Sequence, residues 1–282
     1  MAPPPPPPPP ARDAPAGPSV TARSARVLRT YLRVAVLAEL QYRINFLLSL
    51  VQSLIAIGTS LAVLALVYSH TDSLAGWSSD QLLVLMGVYL MLGGVIRAVI
   101  QPGMTQLMSD VETGNLDQLL TRPADAQLLV SLRRFQIWQG VDVLLGLVLV
   151  IVGLFRIGDP VGVGAIAAFV LTLLLGMIDV YCFWLVMASS AFVLTRVDTI
   201  VELFEGMFQA GRWPVTVYPG WLRITFTFLV PLGFAVTVPA SMINGRYSTT
   251  LVLGSLAFTI VLAALARGIW RRSLQHYTGA SS

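Results

Sequence analysis

Few residues in this 282-residue chain are equipped for chemistry, and the missing ones are informative. All 18 basic side chains are arginines; lysine is absent. A P-loop uses the lysine of G-x-x-x-x-G-K-[ST] to reach the β- and γ-phosphates, so that mode of nucleotide hydrolysis is excluded from this chain. Schiff-base catalysis falls with it. The lone Cys182 permits neither an internal disulfide nor a C-x-x-C metal clip. His70 and His276 are far apart in sequence and make a poor basis for a metal centre.

The acids that remain stand out because their surroundings are apolar. Asp179 lies mid-way along the run Val161–Thr195, where a carboxylate at bilayer depth costs about 2.5–3.5 kcal/mol. Either it faces an internal cavity and pairs with a cationic substrate or a partner arginine, or it hydrogen-bonds a neighbouring helix. Asp142 sits nearer the end of its own run and is expected at the interface. Glu202 and Glu205, at i and i+3, share a helical face, and Arg212 follows two turns later. Within a span these three would line a cavity, with Arg212 neutralising a glutamate; in a loop they would form a solvated face. Trp213, Tyr218 and Trp221 fit an aromatic interfacial belt in either case.

The elements that must position these residues are written in the composition. Hydrophobic residues make up 56% of the chain and charged residues 11%, against about 25% charge in soluble domains. Six apolar runs follow one another: Ile44–Ser69, Gln81–Ile100, Phe135–Phe155, Val161–Thr195, Ile224–Gly245 and Tyr247–Ala266. Each approaches the roughly 20 residues a span requires. The reading is an all-α integral membrane protein with about six transmembrane helices. An N-terminal amphipathic interfacial helix precedes them, and a re-entrant or broken helical element comes before the last span. Residues 1–22, with an unbroken proline run from Pro3 to Pro10, form a disordered tail. Residues 23–43 alternate arginines with apolar residues as an interfacial helix does, 44–272 form the membrane domain, and 273–282 are a C-terminal tail.

With a cytoplasmic N-terminus, sixteen of the eighteen arginines fall inside, leaving Arg156 and Arg246 outside. Both termini are then cytoplasmic. The stretch Asp198–Trp221 leaves two topologies open. It is a cytoplasmic loop before a fifth span at Ile224–Gly245, or Ile200–Val217 is the fifth span and Trp221–Asn244 a re-entrant hairpin broken by Pro231 and Pro239.

A cytoplasmic connection runs from Gln101 to Arg134. Leu107, Met108 and Val111, then Leu116, Leu119 and Leu120, recur at three- and four-residue steps, predicting two short amphipathic helices that meet at Gly114. Such a stripe either docks in a groove of a soluble partner or folds back on its own membrane domain.

The segment "ETGNLDQLLTRP" resembles the stretch after the second span in permeases of the ATP-binding-cassette type-2 exporter class. The later "YPGWLRITFTFLVPLGFAVTVPA" is similar to the element between spans five and six of that class, and "FQAGRWPVTVYP" and "HYTGASS" look like a subfamily encoded as two permeases with one ATPase. The resemblance extends over residues 25–282. It implies a permease subunit of bacterial plasma membrane that moves a hydrophobic or cationic small molecule outward by alternating access. Two copies of a separate ATPase subunit would supply ATP and magnesium, and a second, paralogous permease would complete the pathway. The coupling region would be 103–133, with Glu112, Gly114, Asn115, Leu116, Asp117, Leu119, Leu120 and Pro123 at the ATPase contact. Asp179, Glu202, Glu205 and Arg212 are the candidate pathway residues; no catalytic residue or bound metal is expected. A scaffold that anchors a cytoplasmic partner through residues 105–123, without transport, is the competing reading.

Overall fold

The computed structural model describes residues 43–116, 126–131, 135–192 and 197–276. The Pro-rich tail, the interfacial helix except Arg43, and Asp117, Leu119, Leu120 and Pro123 of the coupling motif lie outside them. Among the described residues the backbone is helical between turns, with an isolated bridge from Leu74 to Trp77. Helices satisfy their own amides, which is what lipid demands. Five are long and apolar enough to cross a bilayer: α1 (Arg43–Tyr68), α2 (Ser79–Glu112), α4 (Gly140–Ile157), α5 (Val163–Ser189) and α9 (Thr249–His276). Shorter pieces lie between them: α3 (Ala126–Ser131), α6 (Val197–Gln209), α7 (Gly220–Leu229) and α8 (Gly233–Ile243). The chain is an all-α multi-pass membrane protein.

Helix α2 is the hub, buried over 67% of its apolar window, whereas α1 is buried over only 11%. Its partner is α4, and glycines let the two backbones meet. A Cβ on Gly87 would stand 2.6 Å from the carbonyl oxygen of Gly146, and one on Gly146 would stand 2.5 Å from that of Gly87. Gly94 and Gly153 repeat the close approach one heptad on, against Val143 and Val84. Small residues at such spacing are how membrane helices gain contact when lipid is as apolar as leucine.

The second span was expected to stop at Ile100, before Pro102. It continues to Glu112 instead, through a π-helical turn at Ile96–Ile100. Proline at 102 has no N–H to offer the carbonyl of Ala98, four residues earlier. That carbonyl accepts from the Gln136 backbone N–H at 2.8 Å, so the interruption is satisfied from outside the helix. The first of the two predicted amphipathic helices is thus the end of a span. It terminates at Gly114, whose φ of +71° suits glycine.

Contacts along α2 place the described part of the Asp198–Trp221 stretch. Glu205 of α6 accepts from Gln101, Gly211 packs on Tyr89, and Asn244 donates to the carbonyl of Gln81. From Gln101 to Gln81 is about 30 Å of helix, the thickness of the hydrocarbon. The chain therefore crosses between residues 205 and 244. Helices α7 and α8 meet at 80° around Val230–Leu232, and Leu232 lies against Gly211, at the level of Tyr89. The bent pair is a broken span or a re-entrant element packed toward the Gln81 end of α2. At that same end Arg246 stacks over Trp77, 4.5 Å from guanidinium carbon to ring centroid, and donates to the carbonyl of Gly76. Tyr68 donates to the Trp77 carbonyl at 2.7 Å, joining the end of α1 to the same clasp.

Candidate transport cavity

A cavity of about 260 Å³ opens between α1, the middle of α2, the start of α4 and the turn after α6. Helix α1 contributes a polar stripe: Ser49, Gln52, Ser53 and Ser60 face it, at steps of three, one and seven. These are positions on one side of a helix. Leu61, Met86, Leu90 and Leu149 supply apolar wall.

Three charges line this space. Asp142, in the first turn of α4, is 3% exposed. It pairs with Arg97 and accepts from the hydroxyl of Ser53. Arg97 rides on the π turn that Pro102 accompanies, and Gln136, bonded to that turn, leads into α4. The same local irregularity therefore sets both partners of the pair. The third charge is Arg212, closing the 3₁₀ turn Ala210–Arg212. Its guanidinium lies 5.8 Å over the ring of Tyr89, and its buried Nε has no hydrogen-bond partner.

Of the predicted pathway residues, Arg212 alone lines this cavity. Helix α6 turns Phe204 and Phe208 inward, where Phe208 stacks on Tyr89 at 4.7 Å and Phe204 meets Trp184 at 4.6 Å. Glu202 and Glu205 are exposed, and Glu205 is held by the Gln101 amide rather than by Arg212. The expected Glu–Glu–Arg constellation is therefore divided by the amphipathicity of α6. Asp179 is fully buried between α5 and α9 beside Thr259, whose hydroxyl donates to the carbonyl of Ser255. Among the described residues the Thr259 hydroxyl is the polar group beside the Asp179 carboxylate, and no donor meets either oxygen in full hydrogen-bond geometry.

Ser53, Tyr89, Arg97 and Asp142 are the cavity residues that sequence reading did not assign to a pathway. A signal for the first existed: serines and a glutamine repeat on one face of an otherwise apolar span. Arg97 and Asp142 look like interfacial charges when each run is read alone.

The family model described as "ABC-2 family transporter protein" matches residues 54–281. The chain belongs to the ABC-2 transporter family. Searches of curated proteins and of solved structures found no match. As a membrane subunit of that family, the ABC-2 permease works with an ABC ATPase, which fits the absence of a P-loop lysine.

The segment expected to form the coupling region is described on both flanks of its motif. Leu107, Met108 and Leu116 are buried within the permease, so of the two readings of the apolar stripe these three residues follow the one that folds back on the membrane domain. Glu112, Thr113 and Asn115 are exposed at the end of α2. Beyond the motif, α3 packs on Gly103, where Val130 and Ser131 carbonyls approach to 3.0 and 3.2 Å of a would-be Cβ. Gln127 and Ser131 both hydrogen-bond the Tyr181 hydroxyl, at 3.0 and 2.8 Å, and Gln127 accepts from Arg267 of α9.

Proposed function

We propose that this permease is the membrane half of an ATP-driven exporter that carries a hydrophobic small molecule outward by alternating access. The observation that carries the reading is the bonding of α3. It is bonded to α5 through Tyr181 and to α9 through Arg267, and it packs on α2 at Gly103. A push on the coupling region then reaches three spans at once. The exposed residues Glu112 and Asn115 receive that push, with Gly114, Leu116, Asp117, Leu119, Leu120 and Pro123 shaping the segment between. Two ATPase copies and a second permease complete the assembly in the plasma membrane, with both termini of this chain in the cytoplasm.

The ATPase shifts the equilibrium only by contacting the two permease states unequally. The burial of Leu107, Met108 and Leu116 favours this reading over a scaffold whose apolar stripe is free for a partner. Asp179, between two of the coupled spans, is assigned here as a residue of the moving interface. The test is outward transport of a hydrophobic dye from cells carrying the permease and its ATPase. Replacing the ATPase P-loop lysine is expected to abolish dye export; undiminished export would refute the reading.

A further inference from the structure

The charge balance of the cavity has a definite sign. Asp142 is committed to Arg97 and Ser53, so the pair is neutral. Arg212 adds a positive charge with no carboxylate beside it among the described residues, and its only described partner is the face of Tyr89. Along α2, Tyr89 is about 12 Å from the Gln81 end, so Arg212 stands well inside the hydrocarbon layer. An arginine at that depth is costly unless water or a counter-charge meets it. The remaining polar lining offers the amides of Gln52 and Gln139 and the hydroxyl of Ser49, the Ser53 and Ser60 hydroxyls being given to Asp142 and to the Ala56 carbonyl, while Met86, Leu90 and Leu149 give an apolar wall.

We propose that the cavity binds an amphiphilic anion, with its carboxylate or phosphate head on Arg212 and its apolar body along α2 and α4. This deepens the exporter reading and rests on it, and it replaces the expected cation. The cation came from the family resemblance, and of the acids that could meet it, Asp179, Glu202 and Glu205, none lines the cavity. The head fits two sources, an anionic lipid or a soluble organic acid. A guanidinium fork meets both with charge-assisted hydrogen bonds.

The test uses the full-length chain in phosphatidylcholine nanodiscs, without nucleotide, so that it is independent of ATP-driven export. Binding of dodecanoate, dodecyl phosphate, dodecanol and dodecyltrimethylammonium is measured by equilibrium dialysis. The anions are expected to bind at least about tenfold more tightly than the alcohol or the ammonium, and Arg212→Gln to abolish that preference. Arg212→Lys is expected to restore part of it, and the exposed Arg156→Gln to leave it intact. Repeating the assay with phosphatidylglycerol in the discs separates the sources: competition assigns the head to lipid, and its absence assigns it to a free acid. Tighter binding of the ammonium, or an anion preference unchanged in a folded Arg212→Gln protein, would overturn the proposal. Dye export undiminished by replacement of the ATPase P-loop lysine, with anion binding intact, would instead refute the exporter reading alone.

Discussion

Asp142 and Asp179 are both buried acids in apolar helices, and their surroundings make opposite demands. Asp142 sits at the N-terminal turn of α4, where the helix dipole favours an anion, and it is held by Arg97 and Ser53. Removing it strands Arg97. Asp142→Ala is therefore expected to cost about 2–3 kcal/mol, below the roughly 3–5 kcal/mol of a fully buried pair because the Arg97 side chain is 38% exposed. A thermal midpoint in detergent would register that loss, and the double variant Asp142→Ala with Arg97→Leu should recover part of it. Asp179 has no arginine beside it among the described residues, only the Thr259 hydroxyl, so a neutral isostere loses no ion pair. Asp179→Asn is expected to hold or raise the midpoint; a fall of several degrees would reveal a partner for the carboxylate.

At the scale of elements, α2 and α4 depend on side chains that are not there. Gly87→Ala would place a methyl 2.6 Å from the Gly146 carbonyl oxygen, and overpacking of this sort costs about 1–3 kcal/mol. Gly58, in the middle of α1, has nothing within 4 Å of a would-be Cβ. Gly58→Ala should then be neutral or stabilising by about 0.5–1 kcal/mol, since it removes backbone freedom from a helix interior. Comparing the two thermal midpoints separates close packing from a general intolerance of alanine. Helix α2 also shows why proline is a weak stop signal here. The rule that helices end before proline assumes the freed carbonyl goes wanting, and Gln136 supplies the missing donor. The length of α2 was consequently not legible in its own residues, because the compensating N–H lies 38 positions away from Ala98.

For the whole molecule, the prediction concerns coupling. Asn115→Arg, at an exposed position, is expected to lower co-purification of the ATPase several-fold while the permease keeps its thermal midpoint. Leu116→Glu places a charge at a fully buried position and should destabilise the permease itself. Tyr181→Phe removes the hydroxyl shared by Gln127 and Ser131, and is expected to leave ATP hydrolysis in place while transport falls. Measuring hydrolysis and dye export in the same vesicles would show whether the two separate.

Periodicity and composition alone determined the helical membrane class, the positions of most spans, and the exclusion of a lysine-bearing P-loop from these residues. Each of these is a local property: hydropathy averages over the residues of one helix, and an absent lysine is absent in any fold. Tertiary structure decided which polar groups share a space. Ser53, Arg97, Asp142 and Arg212 come from four separate segments and meet only when the helices take their rotations about one another. Those rotations follow from glycine contacts between α2 and α4, from a π turn beside Pro102, and from aromatic packing that turns Glu202 and Glu205 outward. A few tens of degrees of rotation carries a side chain from lipid to cavity, and hydropathy, which sums around the helix, is blind to it.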